Sequence, residues 1–297
     1  MAGVVLRAGS YEATFRPDCA MLCGSLRFRG DEFVAWPRTL SQFRAGGATA
    51  VPLLHPWANR LAGYTYRAAG RRVSLTGARF PHDPNGLPIH GNLFAVPFEV
   101  ARVDESRVVA QLDYGAYPEK LRAFPFPHVL TVDARLHPTR GLKIRTEVVP
   151  TADRAVPISF GWHPYVRLPN APRREWELRW PACEHVDVDT RIIPTGARTP
   201  RRAERAPIAG RTFDDCYALG RDRTFAISAG SGRRRRALRL RFDANYPFAQ
   251  LFVPPRRQLV AIEPMTAEID ALGRGISPLV EPGDRFSAAF TLDVATS

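Results

Sequence analysis

Strand-like alternation runs through most of the chain, and helical periodicity is missing from it. In HVLTVDARLH, Leu130, Val132, Ala134 and Leu136 fall on one face, while Thr131, Asp133 and Arg135 fall on the other. After the turn residues 137–141, Leu142, Ile144, Thr146 and Val148 alternate with Lys143, Arg145 and Glu147, which predicts an antiparallel hairpin. Residues 237–244 alternate in the same way, with Leu238, Leu240 and Phe242 opposite Arg239 and Arg241. Further strands are predicted at 4–7, 12–16, 21–28, 98–103, 107–113, 176–180, 224–228, 249–253, 258–263 and 286–294. No stretch of a dozen residues carries a 3.6-residue period, and 27 prolines argue against helix and for many loops. One sheet cannot bury so many half-apolar strands. The predicted fold is therefore all-β, a large antiparallel β-sandwich with two sheets face to face. No repeat or linker divides the chain, so residues 1–297 read as a single domain, a length that sandwiches reach.

The net charge of +13 suggests nucleic acid until its distribution is considered. All but two of the 42 basic residues are arginines, and they are scattered along the whole chain. The one dense run, 233–236, follows Ser-Gly and precedes a strand, the setting of a solvated turn. No zinc-finger spacing or aromatic RNA-binding motif accompanies it, so no nucleic-acid partner is expected. Cys19, Cys23, Cys183 and Cys216 form no C-x-x-C pair and lack disulfide-like density. The first residues lack the apolar core of a signal peptide, and no run approaches 18 apolar residues. A reduced, cytoplasmic protein with no membrane partner is expected.

Residues 51–61 and 80–93 are long polar loops, the usual place for a site on a β scaffold. Within residues 158–168, ISFGWHPYVRL, His163 follows an apolar strand and stands among aromatics, stiffened by Gly161 and Pro164. Histidine titrates near neutral pH and suits proton transfer, although a strand-end histidine that only packs is the plainer reading. His90 precedes Gly91, which permits close approach of a ligand or of backbone. Arg60, behind Trp57, is a fork-shaped donor for hydroxyls or carboxylates. Asp214 lies between aromatics, where turn capping competes with function. Glu263 closes an apolar strand, where partial desolvation would raise its pKa and make it a general base; facing water is the alternative.

Taken together, the segments PWANRLAG (56–63), IHGN (89–92), SFGWHPYVRL (159–168), DVDTRIIPTG (187–196), FDDCYAL (213–219) and AIEPMTAEIDAL (261–272) resemble aldose 1-epimerases of the galactose mutarotase type. Each motif is weak alone, but six in the expected order across some 220 residues are specific. The resemblance implies a large β-sandwich with an open cleft and a small-molecule sugar substrate, and it calls for no cofactor and no metal. It implies that Glu263 is the general base for the anomeric hydroxyl and His163 the general acid for the ring oxygen. Arg60, His90 and Asp214 would hold the sugar hydroxyls and ring oxygen. The pairing requires a protonated His163 and an ionised Glu263, hence a bell-shaped pH profile. Four positions depart from the common pattern: Trp162 where asparagine is usual, Val166 where an aromatic is usual, Asn92 where a second glycine is usual, and the additional charge of Glu268. They are expected around the sugar pocket.

The expected activity is α/β interconversion of a free aldohexose by ring opening and closure. One rival is a hexose-phosphate mutarotase, for which Arg38, Arg44 and Arg167 offer candidate phosphate contacts. Another is a carbohydrate-binding protein without chemistry, disfavoured by the presence of both His163 and Glu263. A glycoside hydrolase would need a carboxylate pair rather than a His–Glu pair.

Overall fold

The structure is a computed structural model that describes residues 3–231 and 235–296. Two large antiparallel sheets pack face to face. The first has nine strands in the order Glu204–Pro207, Glu177–Trp180, Thr224–Ala229, Arg236–Phe242, Phe286–Thr296, Gly141–Pro150, His128–His137, Arg107–Asp113 and Glu99–Val103. The second runs Pro194–Arg201, Cys183–Val188, Phe213–Leu219, Phe248–Val253, Val260–Met265, Gly161–Trp162 and Leu53–Leu54, with Tyr165–Val166 also paired to Val260–Met265. A four-stranded meander, Val4–Ala8 through Asp31–Glu32, flanks them. Alternation is the cause of the layering: Leu130, Ile144, Leu238 and Phe290 from the first sheet meet Leu251, Val253 and Ile262 from the second in one buried cluster.

The predicted hairpin forms in the expected register, with Leu136 opposite Leu142 and His137 opposite Gly141. Trp57, Trp162, Trp176, Phe160 and Phe225 are among the largest fully buried side chains. Several strands were not predicted from the sequence, and five of them show why. Pro194–Arg201 and Glu204–Pro207 are sheet edges that face water almost throughout, so they carry no apolar alternation. Thr65–Ala68 and Arg71–Ser74 form a small separate hairpin with only Tyr66 and Val73 buried. Phe213–Leu219, to which the sequence assigned no strand, is an interior strand whose two faces differ, as described below.

Of the arginine run 233–236, residues 233 and 234 lie outside the described residues. Arg235 is exposed, and Arg236 opens a strand and pairs with Asp31. The four cysteines are buried and free. Among the described residues no helix is long and apolar enough to cross a membrane.

Candidate active site

The second sheet has one face in the core and one beneath loops. On Phe248–Val253, Ala249, Leu251 and Val253 are fully buried in the core, so Gln250 and Phe252 face the other way. Residues directly opposite on paired strands share a face. Gln250 stands opposite both Glu263 and Cys216, and Phe252 opposite both Asp214 and Ala261. Tyr165 is opposite Ala261. The outer face therefore gathers Asp214, Gln250, Phe252, Glu263 and Tyr165 within three strands and a short flanking one. Asp214 caps no turn: it sits within a strand whose Tyr217 and Leu219 enter the core while Asp214 and Cys216 point outward.

Loops 55–62 and 80–93 roof this face and enclose a cleft of about 640 Å³, a volume within the usual range for small-molecule sites. His163 occupies the break between Gly161–Trp162 and Tyr165–Val166, where its N–H donates to Pro52 O at 3.0 Å. Its ring stacks on Tyr165 with centroids 4.2 Å apart and meets His90 edge-on at 5.3 Å. His163 Nε2 lies 3.1 Å from Glu263 Oε1. Both side chains are buried, and His163 Nδ1, His90 Nδ1, Glu263 Oε2 and Gln250 Oε1 find no partner. Such unfinished valences among buried groups lining an opening are the mark of a site awaiting a polar ligand.

Arg60 is held on three sides. Its Nε donates to Asp83 Oδ2 at 2.7 Å, its Nη1 to Asn59 Oδ1 at 3.0 Å, and its Nη2 to Asp214 Oδ2 at 3.5 Å. Gln250 Nε2 donates to the other Asp214 oxygen at 2.6 Å. Burial works to raise the Asp83 carboxyl, but the Arg60 hydrogen bond and the N–H groups of Leu87 and Asn85 outweigh it and hold it below its ordinary value. Asp83 thus keeps a charge that fixes Arg60.

The central pair behaves differently. Burial drives Glu263 well above the ordinary carboxylate value, with the negative Asp214 adding to the rise and Arg60 opposing it. Burial, then the neighbouring His90, drives His163 well below the ordinary imidazole value. His90 is lowered to about 3 by burial and by the Arg60 charge. Glu263 lies within the strand Val260–Met265 rather than at its end, and burial there gives the raised pKa that was expected from partial desolvation. The ion pair expected from the sequence is nevertheless disfavoured in the free site: the neutral acid and the neutral imidazole are preferred. The same single proton resides between the two groups in either form.

All five residues singled out in the sequence, Glu263, His163, Arg60, His90 and Asp214, line this one cleft. Asn59 and Asp83 line it too, and Gln250 supports it through Asp214, none of the three having been singled out. The Asp-Pro-Asn-Gly turn at 83–86 and a glutamine interrupting the apolar run FAQLFV were signals that could have found two of them.

The four departures lie elsewhere. Trp162 points into the core, packs on Phe290 and donates to Thr146 Oγ1 at 2.9 Å, because its neighbour His163 takes the cleft side. Val166 is buried in the same core. Glu268 is held by Arg198 and Arg274 rather than standing beside Glu263. Asn92 accepts from the Tyr114 hydroxyl and borders a different hollow. Of the three arginines suggested for a phosphate, Arg38 lines the cleft, Arg44 lines that second hollow, and Arg167 donates instead to Glu32 O at 3.2 Å.

A family profile described as aldose 1-epimerase matches residues 25–293. Among solved structures, a galactose mutarotase-like protein from Clostridium acetobutylicum is 18% identical, with a TM-score of 0.84 over 99% of this chain and 95% of that one. An aldose epimerase homologue from C. elegans is 18% identical, with a TM-score of 0.80 over 99% of both chains. Galactose 1-epimerase from Lactobacillus acidophilus NCFM is 12% identical, with a TM-score of 0.77 over 99% of this chain and 94% of that one. These likenesses establish the fold. No curated protein matches the sequence.

Proposed function

Because the chain belongs to the aldose 1-epimerase family, we propose that it is a mutarotase that interconverts the α and β anomers of an aldose. The observation that carries this reading is the buried His163–Glu263 contact at 3.1 Å on the cleft floor, with an unpartnered atom on each residue. Mutarotation needs one proton removed from O1 and one delivered to O5, two oxygens on the same anomeric carbon. A single proton shared between neighbouring groups suits that geometry.

The sugar O1–H displaces the direct contact. Glu263, ionised once its proton has passed to His163, accepts the O1 proton as His163 donates to O5. The C1–O5 bond breaks, its electron pair leaves on O5, and the O1 lone pair completes the aldehyde carbonyl. Rotation about C1–C2 presents the other carbonyl face, and reversal of both transfers closes the other anomer. Tyr165 fixes the plane of the His163 ring by stacking. The Arg60 fork, locked by Asp83, is oriented to donate to sugar oxygens, while Asp214 and Gln250 supply an acceptor and an amide beside Glu263. Burial keeps the proton on Glu263 in the free site, so forming the ionised Glu263 and protonated His163 costs free energy that hydrogen bonds from the bound sugar must offset.

Polarimetry of freshly dissolved α-D-glucose and α-D-galactose tests the reading. Acceleration by the wild type that is lost in Glu263→Gln is the expected result. If neither sugar nor any other aldose mutarotates faster with the protein than without it, the reading is wrong.

A further inference from the structure

Two of the sequence segments that carry the site extend beyond the residues the mechanism uses. From AIEPMTAEIDAL only Glu263 enters the reaction, and from PWANRLAG only Arg60 and its partner Asn59 bear on the sugar. The unused halves of the two segments meet. Asp270 N donates to Arg60 O at 3.0 Å, and Asp270 Oδ1 accepts from Ala62 N at 2.8 Å. The neighbouring residues of the same stretch bond elsewhere: His90 N donates to Asn59 O and Leu61 N to Pro88 O, both at 2.9 Å. Residues 59–62 are therefore gripped by residues 88–90 through Asn59 and Leu61, and by Asp270 through Arg60 and Ala62. Sliding by one residue would leave these main-chain groups unpaired.

The local structure is shaped around the Asp270 carboxylate. Asp270 is buried and holds φ +60°, a conformation that aspartate tolerates better than most residues. Its carboxylate occupies the space that Gly273 leaves open, since a Cβ on residue 273 would lie 2.0 Å from Asp270 Oδ1. The path back to Glu263 is stiff. Thr266 donates from both N and Oγ1 to Phe160 O, at 3.0 and 2.8 Å. Ile269 is buried in an apolar cluster with Ala58 and Leu87, and Glu268 is held by Arg198 and Arg274. Glu263 and Asp270 are thus two points on one rigid segment, and Asp270 passes the position of that segment to Arg60.

We propose that Asp270 is a positioning residue that clamps Arg60 in register with Glu263, so that the guanidinium and the carboxyl address the same sugar ring. The inference rests on the mutarotase reading and adds to it a residue that touches no substrate. Asp83 and Asn59 fix the direction of the Arg60 fork, whereas Asp270 fixes the main chain from which the fork extends. A binding group that drifts loses its hydrogen bond to the sugar while His163 and Glu263 still exchange protons, so the effect falls on KM.

The test compares Asp270→Gly, Asp270→Asn and Gly273→Ala by polarimetry on glucose and galactose, and by NMR of the Arg60 Nε–H resonance in the free protein. Asp270→Gly keeps the backbone conformation and removes the carboxylate. Asp270→Asn retains an oxygen for Ala62 N, and Gly273→Ala pushes the carboxylate out while leaving it in the chain. The expected result is a KM raised about tenfold in Asp270→Gly and Gly273→Ala, the loss of about one charge-assisted hydrogen bond, with kcat within about threefold of the wild type. The Arg60 resonance should shift in both, and Asp270→Asn should restore the wild-type KM and resonance. In the Arg60→Ala, Asp83→Asn background, Asp270→Gly should raise KM no further, because it acts through Arg60. An unmoved resonance, an equal loss in Asp270→Asn, or a further rise of KM in that background overturns the positioning role and leaves the mutarotase reading intact. A wild type that accelerates no aldose overturns both.

Discussion

Two pairs of histidines meet in this protein, one fully buried and one with His90 half-buried at the cleft, and they have opposite fates. His55 and His128 approach with their Nε2 atoms 2.9 Å apart, while His90 and His163 meet edge to face at 5.3 Å. Burial pushes all four rings below their ordinary value. The first pair closes on itself. His128 Nδ1 lies 2.7 Å from Phe126 O, so it is the protonated nitrogen, and its Nε2 accepts from His55 Nε2–H. Tyr114 stacks on His128 at 4.7 Å and ties its hydroxyl to Asn92. Only His55 Nδ1 is left over. The second pair, with Glu263 and Gln250 beside it, leaves four polar atoms unpartnered around an open cleft. Burial and a shifted pKa are common to both regions. Hydrogen bonds left incomplete next to an opening separate the site from the scaffold.

Substitutions can break or sharpen that contrast. Arg60 belongs to the site but is locked like scaffold, so it carries the largest combined effect. Arg60→Ala strands the buried Asp83 charge and should cost about 3–5 kcal/mol of stability, read by urea denaturation, besides raising KM. Adding Asp83→Asn should restore much of the stability and none of the affinity. Glu263→Gln should lower kcat by about 10³-fold in polarimetry without lowering the urea midpoint. His128→Ala should do the reverse, costing about 3 kcal/mol through the lost ring and the orphaned His55 donor, with kcat of the folded protein within about threefold of the wild type. A His128→Ala protein that is stable but inactive would merge the two regions and remove the distinction.

The pH dependences give smaller effects and separate the regions by sign and by window. In the proposed mechanism one proton is shared between Glu263 and His163. Activity should fall in acid only as His163, whose pKa is lowered, takes a second proton, and in alkali only as Glu263, whose pKa is raised, loses the last one. The kcat/KM profile is therefore a bell with a broad plateau, its acid limb below the ordinary histidine value. Stability follows the scaffold. An unfolded His128 takes up a proton near pH 6.5, whereas the folded one resists until about 4. Its contribution is complete above pH 6.5 and is lost as pH falls toward 4, at roughly 1.4 kcal/mol per pH unit. Thermal melts across that window check the slope, which His128→Gln should reduce.

The sandwich was legible wherever one face of a strand is buried and the other wet, as in residues 128–150. It was illegible where an edge strand faces water on both sides, as in Pro194–Arg201, and where the outer face is itself a site. Turn capping competed with function at Asp214 because the polar face of its strand is turned toward the cleft rather than toward solvent. The five candidate residues were readable because motifs carry them. Asp83, Asn59 and Gln250 act on those residues through hydrogen bonds that only the folded chain brings together. Trp162 was placed beside the sugar because it precedes His163, yet adjacent residues in extended chain point to opposite sides. His55 shows the converse, since nothing in His-Pro-Trp distinguishes a structural histidine from a working one.

The floor of the cleft is woven from main chain. Asn92 N and Leu93 N both donate to His55 O, His90 N to Asn59 O, Ala58 N to Ser159 O, Asp270 N to Arg60 O and Thr266 N to Phe160 O. The weave is so close at one point that a Cβ on Gly91 would sit 2.2 Å from His55 O. Peptide groups are the same whatever side chain they carry, so a scaffold knitted from them tolerates almost any drift in sequence so long as a few pinch points stay glycine. A cleft held in this way keeps its register through amides, while His163 and Glu263 supply the groups that the amides hold in place.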